Sequence, residues 1–510
     1  MKIPAKRHIE TTMALAAIIA GGVWLFRHLH YFGLFTFMSQ EEYLFPFDEM
    51  GNLPANPVEQ AGNWLTQLYI NPILAVLIPT VSLVLLGTLT WWWLRRVSRK
   101  SITAIPLAIV PVMVLLPWML MENCPLHAIL TVLIVMLVAC LNTWAGVVAL
   151  IIAAACFFYE NPASISYAFE SSEALADQIY SSPIISAAWT HWLCSMLMVT
   201  ALALLLRVKR VSRYDLAVCP VALVAAILWA STGLPSREDA APELRKMQIA
   251  TLQRLENWQQ IETMLTQSPP QDVIELTYLN LALAEQGKLG DTMFQHEQHG
   301  YEGLFCQNNG TYRLNVLFSD IFYLTGYLGR AEGNAMDAKR IGMPRQLRRL
   351  VEIHTLRGEA KLADKYLNVL SRLRNHSQWA DDMRNGRITL PVPIEDGNLA
   401  LTSMVDIMDV WASQLTASRP NRTAAEYLGA IYLLDKDLHK FASFYLAWQQ
   451  NEALGTMPRH FDEAAAIIAS HDSDFASAAH IAPEVQRQFD AISQGSVPAG
   501  TYWEYFLSEE

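Results

Sequence analysis

The chain has 510 residues and a net charge of −11, and 52% of its residues are hydrophobic but only 17% charged. A soluble protein carries about a quarter charged residues, so this composition is typical of a membrane protein. The negative charge, without a clustered Lys/Arg surface beyond short patches beside the apolar segments, argues against a nucleic-acid partner.

Long apolar segments follow one another through residues 11–232. A helix crosses a bilayer core of about 30 Å with roughly 20 apolar residues. The sequence therefore predicts about seven spans, at 12–37, 71–94, 102–121, 126–141, 143–158, 186–206 and 214–232. One helix over 126–158 would be far too long for a bilayer, so we divide it at Asn142. Whether this stretch forms two spans or one stays open at this point.

The charged residues between these segments are sorted by sign. Basic residues cluster within 2–7, 95–100 and 207–213, whereas the acidic loops, 38–70, 122–125 and 159–185, contain no Lys or Arg. Loops rich in Lys and Arg stay cytoplasmic. The pattern predicts a multi-pass protein of the inner cell membrane with a cytoplasmic N-terminus. The C-terminal domain then lies outside, which in a bacterium is the periplasm.

Beyond residue 233 the texture changes to amphipathic helices, with apolar residues at spacings of three and four. Stretches that start at Tyr278, Phe322, Leu350 and Tyr427 each read as an apolar helix, a tight polar turn and a second helix. One such pair cannot bury its own apolar face, so neighbouring pairs must stack. The predicted fold is all-α, with a polytopic transmembrane helical bundle at 1–233 and a soluble tetratricopeptide-like helical-repeat domain at 234–510.

Helical-repeat domains are usually concave and bind peptides or proteins. The leading functional hypothesis is therefore an integral membrane protein, of no assigned reaction, whose periplasmic domain docks a protein partner. The alternative for that domain is a cover over the membrane half. The bilayer itself is the other expected partner, and no cofactor is predicted.

The candidate catalytic residues are acids beside the apolar segments. Glu41 and Glu42 lie in the first outer loop, within SQEEYLFPFDEM at 39–50, and Glu122 lies in the next one. Membrane glycosyltransferases that use lipid-linked sugar donors, the GT-C architecture, are similar in layout, with acids in these loops and a soluble extracytoplasmic C-terminal domain. In such an enzyme a carboxylate would deprotonate an acceptor hydroxyl, or a pair would hold a divalent metal. Membrane insertion by itself depletes outer loops of Lys and Arg, so acids alone in such a loop do not indicate an enzyme. Whether the protein is an enzyme stays open.

Two further motifs have competing interpretations. Arg27, within the first apolar segment, either lies at the outer interface or is buried and pairs with an outer-loop acid, where it could balance a donor phosphate. Residues 296–299 read HEQH, and two histidines three apart on a helix could bind a metal, but no third ligand is evident, so no metal site is predicted. His460, Asp462 and Glu463 are interpreted as the first turn of an ordinary helix.

Several short segments, scattered over nearly the full chain, carry a family resemblance. They are QEEYLF at 40–45, WLTQLYINPILAVLI at 64–78, GKLGDTMF at 287–294 and TYWEYF at 501–506. The chain resembles an uncharacterised Bacteroidetes family of multi-span membrane proteins with a helical C-terminal tail. A glutamine often stands in that family where this chain has Glu42, so the resemblance does not favour Glu42 as a catalytic acid. It implies architecture and compartment, not an activity.

A triple variant with alanine in place of Glu41, Glu42 and Glu122 distinguishes the docking hypothesis from the glycosyltransferase hypothesis. We expect unchanged cell-envelope glycans, because the leading hypothesis assigns these acids to membrane topology. Glycan profiling of a strain that carries the triple variant tests this, with the membrane level of the protein as the folding control. Loss of a glycan at a normal protein level would instead establish the transferase.

Overall fold

The computed structural model describes residues 4–31, 56–99, 101–119, 126–160, 181–208, 237–308, 310–337, 344–390, 407–492 and 497–508, with isolated positions 221, 224, 225, 228 and 495. Within these ranges the chain is helical and forms no strand, which confirms the predicted all-α class. The chain divides into two compact units, Met1–Met247 with Ile341–Met343, and Gln248–Arg340 with Pro344–Glu510. The boundary expected at residue 233, and the character assigned to each domain, stay predictions.

Most helices of the first unit follow the apolar segments of the sequence, but Pro57–Thr66 lies within the predicted outer loop 38–70. The helices are Pro4–Tyr31 (α1), Pro57–Thr66 (α2), Pro72–Ser98 (α3), Ser101–Met119 (α4), Leu126–Leu141 (α5), Thr143–Glu160 (α6) and Ser181–Val208 (α7). Apart from isolated positions, the segment 214–232 lies outside the described residues, as do residues 32–37 of the first predicted span.

Among the described residues, three helical stretches are long and apolar enough to cross a membrane: Ile73–Ser98, Thr143–Glu160 and Ile185–Arg207. Thr103–Met119 and Leu126–Leu141 are shorter apolar helices. One apolar cluster joins these elements, and the indoles of Trp93 and Trp118 lie fully buried within it. The unit is therefore compatible with association with a membrane, while the full set of seven spans stays a prediction.

The stretch at 126–158 forms two helices rather than one. The Asn142 side-chain oxygen accepts hydrogen bonds from the amides of Trp144 at 3.1 Å and Ala145 at 3.2 Å, as an N-cap does. A Cβ at Gly146 would lie only 2.5 Å from the Ala139 carbonyl oxygen, so glycine lets the backbones of α5 and α6 approach closely. The sequence break at Asn142 is thus a helix boundary with its own capping chemistry.

The second unit is a succession of short helices, and Arg237–Arg254 (α8) contains its boundary with the first. The others are Trp258–Gln267 (α9), Val273–Glu285 (α10), Leu289–Thr292 (α11), Tyr312–Leu324 (α12), Leu328–Asp337 (α13), Pro344–Leu356 (α14), Ala360–Leu370 (α15), Ser377–Arg384 (α16), Ile407–Ala412 (α17), Arg422–Leu434 (α18), Leu438–Gln450 (α19), Arg459–Ala469 (α20), Ser473–Ala478 (α21), Pro483–Ile492 (α22) and Tyr502–Leu507 (α23).

The four stretches that resemble one another in sequence all form helical hairpins with one turn geometry. In each turn a residue with positive φ follows the first helix, and the next amide donates to the carbonyl five residues back, at 2.7–2.9 Å. This is the Schellman C-cap, which favours glycine because a Cβ strains that backbone region. The positive-φ residues are Gly287, Gly326, Gly358 and Lys436. The predicted helix–turn–helix units are confirmed, while their kinship to tetratricopeptide repeats stays a prediction.

A network of buried charges joins α8, α12 and α14. The fully buried Asp320 carboxylate accepts hydrogen bonds from Arg349 at 2.8 Å, Arg345 at 3.2 Å and Gln253 at 2.9 Å. Arg345 also forms an ion pair with Glu256. Burial by itself would raise the pKa of Asp320, but the two guanidinium groups lower it by more. The pKa of Asp320 therefore lies below its usual value. The carboxylate is therefore charged, and it compensates cations that have no access to water.

Glu285, at the end of α10, lies beside this network. Burial and the charge of Asp320 raise its pKa from 4.5 to about 7, against the opposing charges of Arg349 and Arg345. Because the folded state favours the protonated form, this group stabilises the fold most below pH 4.5. That contribution is lost as the pH rises through about 7.

Asp320→Asn removes the charge from the network and keeps nearly the same shape. We expect the free energy of opening of α12 and α14 to fall by about 3 to 5 kcal/mol, because two arginines lose their buried counter-charge. Hydrogen exchange of the full-length protein measures this locally. Asp381→Asn, at an exposed carboxylate 3.8 Å from Arg384, is the matched control and should change it by less than about 0.5 kcal/mol. Equal effects of the two substitutions would contradict the structural role of Asp320.

Candidate functional site

Of the residues that the sequence singles out for catalysis, only Arg27 can be placed. Glu41, Glu42 and Glu122 lie outside the described residues. The helix α1 continues to Tyr31, so it does not end at Arg27, and the Arg27 side chain is exposed. The proposed grouping of Arg27 with outer-loop acids stays a prediction.

The HEQH motif does not lie on a helix. Residues 296–299 connect two short 3-10 turns, Met293–Gln295 and Gly300–Gly303, so the geometric premise of a shared helical face is wrong. Across the part of the chain that the structure describes, no group of three or more His, Cys, Asp or Glu residues could hold a metal ion. The motif instead lines a cavity of the second unit.

This cavity has a volume of about 1060 Å³, and polar and apolar surface contribute about equally to its lining. We call it the polar cavity because most of its lining residues have polar side chains. Three segments bound it: residues 294–302, the end of α18 with its turn at 434–436, and residues 499–508. A second cavity of about 570 Å³ shares Tyr301 and Asp435 with the first. We call the two adjoining cavities, joined at Tyr301 and Asp435, the groove.

The second cavity has an aromatic lining. The rings of Phe305, Phe322 and Tyr327 form its wall, with Ile407, Met408 and Ile431 beside them. Phe305 and Phe322 lie 6.1 Å apart, and Tyr327 meets Phe322 edge-on at 6.0 Å. Phe305 also packs on the buried Trp411 at 5.6 Å, so the wall is backed by a packed core. The groove thus changes from polar to aromatic at Tyr301.

The charges in the polar cavity are mostly negative. Four carboxylates line it, those of Glu297, Glu302, Asp435 and Glu504, against one ammonium, that of Lys436. The Lys436 ammonium donates to the Ser508 carbonyl oxygen at 2.8 Å and lies over the Tyr505 ring. Burial lowers the pKa of His296, which favours its neutral form, and raises that of Asp435. The raised pKa of Asp435 slightly disfavours its charged form, but four carboxylates against one ammonium still favour a cation.

One wall of the groove, residues 499–508, is held by Glu463 at the start of α20. The Glu463 carboxylate is fully buried and accepts hydrogen bonds from the Tyr502 amide at 2.7 Å and Arg459 Nε at 2.9 Å. His460 Nδ1 lies 2.8 Å from it, and the Trp503 indole donates to the Glu463 carbonyl oxygen at 2.7 Å. Burial by itself would raise the pKa of Glu463, but its hydrogen-bond partners lower it by more, so the pKa lies below its usual value. The anchor is thus a buried charge with its partners in place.

Local geometry completes the wall. Gly500 has a φ of +73°, which favours glycine, and its amide donates to Glu504 at 2.7 Å. The Thr501 side chain accepts from the Glu504 amide at 3.3 Å, much as in a capping box, so that α23 begins at a fixed point. The Tyr505 hydroxyl then donates to the Leu434 carbonyl oxygen at 2.8 Å, which ties α23 to the end of α18.

Two of the segments that carry the family resemblance meet at this wall. The Phe294 ring, from GKLGDTMF, lies 5.2 Å from Tyr502 and 5.0 Å from Tyr505, both from TYWEYF. The helix start expected at residues 459–463 is confirmed, but the buried role of Glu463 is not evident from sequence. A carboxylate followed by small and apolar residues is a weak signal, because the contacts that hold the wall, with Tyr502 and Trp503, lie 39 and 40 residues further along the chain.

Its apolar helices and its helical hairpins define an all-helical protein that is compatible with membrane association. The chain belongs to the Family of unknown function (DUF6057), which matches residues 7–507. That match includes α1 to α23 almost entirely, so both units belong to the family's shared architecture. No curated protein and no solved structure matches the chain.

Glu463→Gln should loosen the wall without changing its shape. We expect the free energy of opening of residues 499–508 to fall by about 2 kcal/mol, because a charge-assisted set of hydrogen bonds becomes a neutral one. Hydrogen exchange of these residues in the full-length protein measures the change. Glu484→Gln, at an exposed position of α22, is the control, and equal protection in both variants would contradict the anchor.

Proposed function

We propose that the protein is a multi-pass membrane protein with about seven spans that holds a tetratricopeptide-like domain in the periplasm. There the groove docks a segment of a protein partner. The observation that carries the proposal is the groove itself, whose two cavities of about 1060 Å³ and 570 Å³ adjoin on one unit. Concave surfaces of stacked helical hairpins are common protein-binding sites.

The sorting of charges along the first unit supports the periplasmic location proposed for the second unit. Basic residues flank the apolar segments on one side, and three loops without Lys or Arg alternate with them. With the helices at 126–141 and 143–160 counted as separate spans, the chain crosses an odd number of times. The second unit then follows the last crossing on the outer side.

The chemistry of the groove favours docking of a protein partner over a role as a cover for the membrane half. Asp435 and Glu297 are exposed, and Tyr301 is 54% exposed, although all three lie in a cavity backed by packed aromatic rings. Polar and aromatic side chains that converge on a preformed cavity are typical of a binding site. Protein-binding sites are also enriched in tyrosine.

Photo-crosslinking in living cells tests the docking. We expect p-benzoylphenylalanine in place of Tyr301 to give one discrete protein adduct, and the same group in place of the exposed Leu362 on α15 to give none. Because the groove depends on its anchored wall, the Glu463→Gln background should weaken the adduct, whereas Glu484→Gln should not. An adduct from both positions, or one that ignores the wall, would contradict docking in the groove.

A reporter fused after Glu510 gives the side of the membrane independently. The proposed topology predicts that a reporter active only in the periplasm is active, and that one active only in the cytoplasm is silent. The reverse pattern would overturn the location of the domain whatever the crosslinks show.

A further inference from the structure

We propose that the groove binds an extended polypeptide segment that carries a Lys or Arg side chain next to an aromatic one. This inference rests on the proposed docking function and names the chemistry of the partner. It follows from the different character of the two cavities and from their shared boundary at Tyr301 and Asp435.

The polar cavity supplies the site for the cation. Within the described residues, Glu297, Glu302 and Asp435 form no ion pair, although the charge of Lys440 acts on Asp435. The lining of this cavity therefore keeps an excess of carboxylates. The one ammonium of this cavity, Lys436, is occupied by the Ser508 carbonyl oxygen and the Tyr505 ring. A Lys or Arg side chain meets complementary charge there, whereas an acidic segment is repelled.

The turn at Lys436 contributes one of these carboxylates, that of Asp435, to the lining of the cavity. In the other three hairpin turns the positive-φ residue is glycine, whereas Lys436 here and Glu256 between α8 and α9 adopt φ values of 54° and 55°. A non-glycine residue in this region is strained and is retained where its surroundings hold it. The Lys436 side chain donates a hydrogen bond to Ser508 in the wall formed by residues 499–508. Its neighbour Asp435 is exposed and lines both cavities.

The second cavity supplies the site for the aromatic ring. Its wall of Phe305, Phe322 and Tyr327 offers both ring faces and ring edges, which favour stacked or edge-on aromatic partners. Arg330 also lines this cavity and can stack on an incoming ring. Because each cavity exceeds the volume of a single side chain, the occupant has several residues.

Tyr301 and Asp435 bring the two sites close enough for one segment to fill both. Since these two residues line both cavities, a cation beside Asp435 and a ring beside Phe322 are within reach of neighbouring residues of one chain. Successive side chains of an extended strand point to opposite faces, which allows one to enter each cavity. The excess of carboxylates in the polar cavity also disfavours a nucleic acid.

Three fluorescein-labelled peptides of equal length test the proposal. They share a Gly/Ser framework and differ at two positions, which carry lysine and tryptophan, glutamate and tryptophan, or lysine and serine. With the full-length protein in lipid nanodiscs, fluorescence anisotropy should show that the lysine–tryptophan peptide binds about tenfold more tightly than either of the others, because each cavity contributes. Its Kd should also rise with salt concentration.

Matched variants assign the binding to the groove. The double substitution Glu297→Gln and Asp435→Asn should weaken binding of the lysine–tryptophan peptide about tenfold. Binding of the lysine–serine peptide should not become tighter. Tyr301→Ala should weaken it as well. The control pair Glu484→Gln and Asp381→Asn, at exposed carboxylates away from the cavities, should leave Kd unchanged.

Two outcomes would overturn the inference. One is equal or tighter binding of the glutamate–tryptophan peptide, and the other is a Kd that does not respond to the groove substitutions. If either occurs while Tyr301 still crosslinks to a protein, docking stands and the chemistry named here falls. If no peptide binds and Tyr301 gives no adduct, both proposals fall.

Discussion

The hydrogen bonds to the buried Glu463 carboxylate decide where the C-terminal helix lies, and the groove depends on that helix. A charge with no access to water is tolerated only when its partners are complete, and here Tyr502, Arg459 and His460 supply them. The position of α23 then brings Tyr505 to the end of α18 and closes one wall of the polar cavity. A short helix thereby becomes part of the wall of a cavity.

A second constraint is the repeated turn of the hairpins. The Schellman cap fixes how each pair of helices meets, and glycine at three of the four turns makes that geometry easy to adopt. At the fourth turn the chain has Lys436, and this turn faces the groove. Glu256, in the turn between α8 and α9, also adopts a positive φ without glycine, and it pairs with Arg345 away from the groove. A non-glycine turn of this kind is therefore not confined to the groove.

Helices and their boundaries follow from local sequence and were largely predictable. The break at Asn142 and the hairpins near Tyr278 and Phe322 are examples, since apolar periodicity and turn residues encode them directly. The HEQH motif shows the opposite case, because spacing alone does not say that residues 296–299 leave the helix. Glu463 and the groove depend on residues far apart in the chain, which no local pattern brings together.

Hydrogen exchange of the full-length protein in lipid nanodiscs, with and without the lysine–tryptophan peptide, tests the central claim most directly. If the groove is the docking site, the peptide should slow exchange at residues 294–302 and 499–508, the segments that line the polar cavity. Residues 360–384, in a different hairpin, should be unaffected. Protection confined to residues 360–384, or none anywhere at a saturating peptide concentration, would contradict the account.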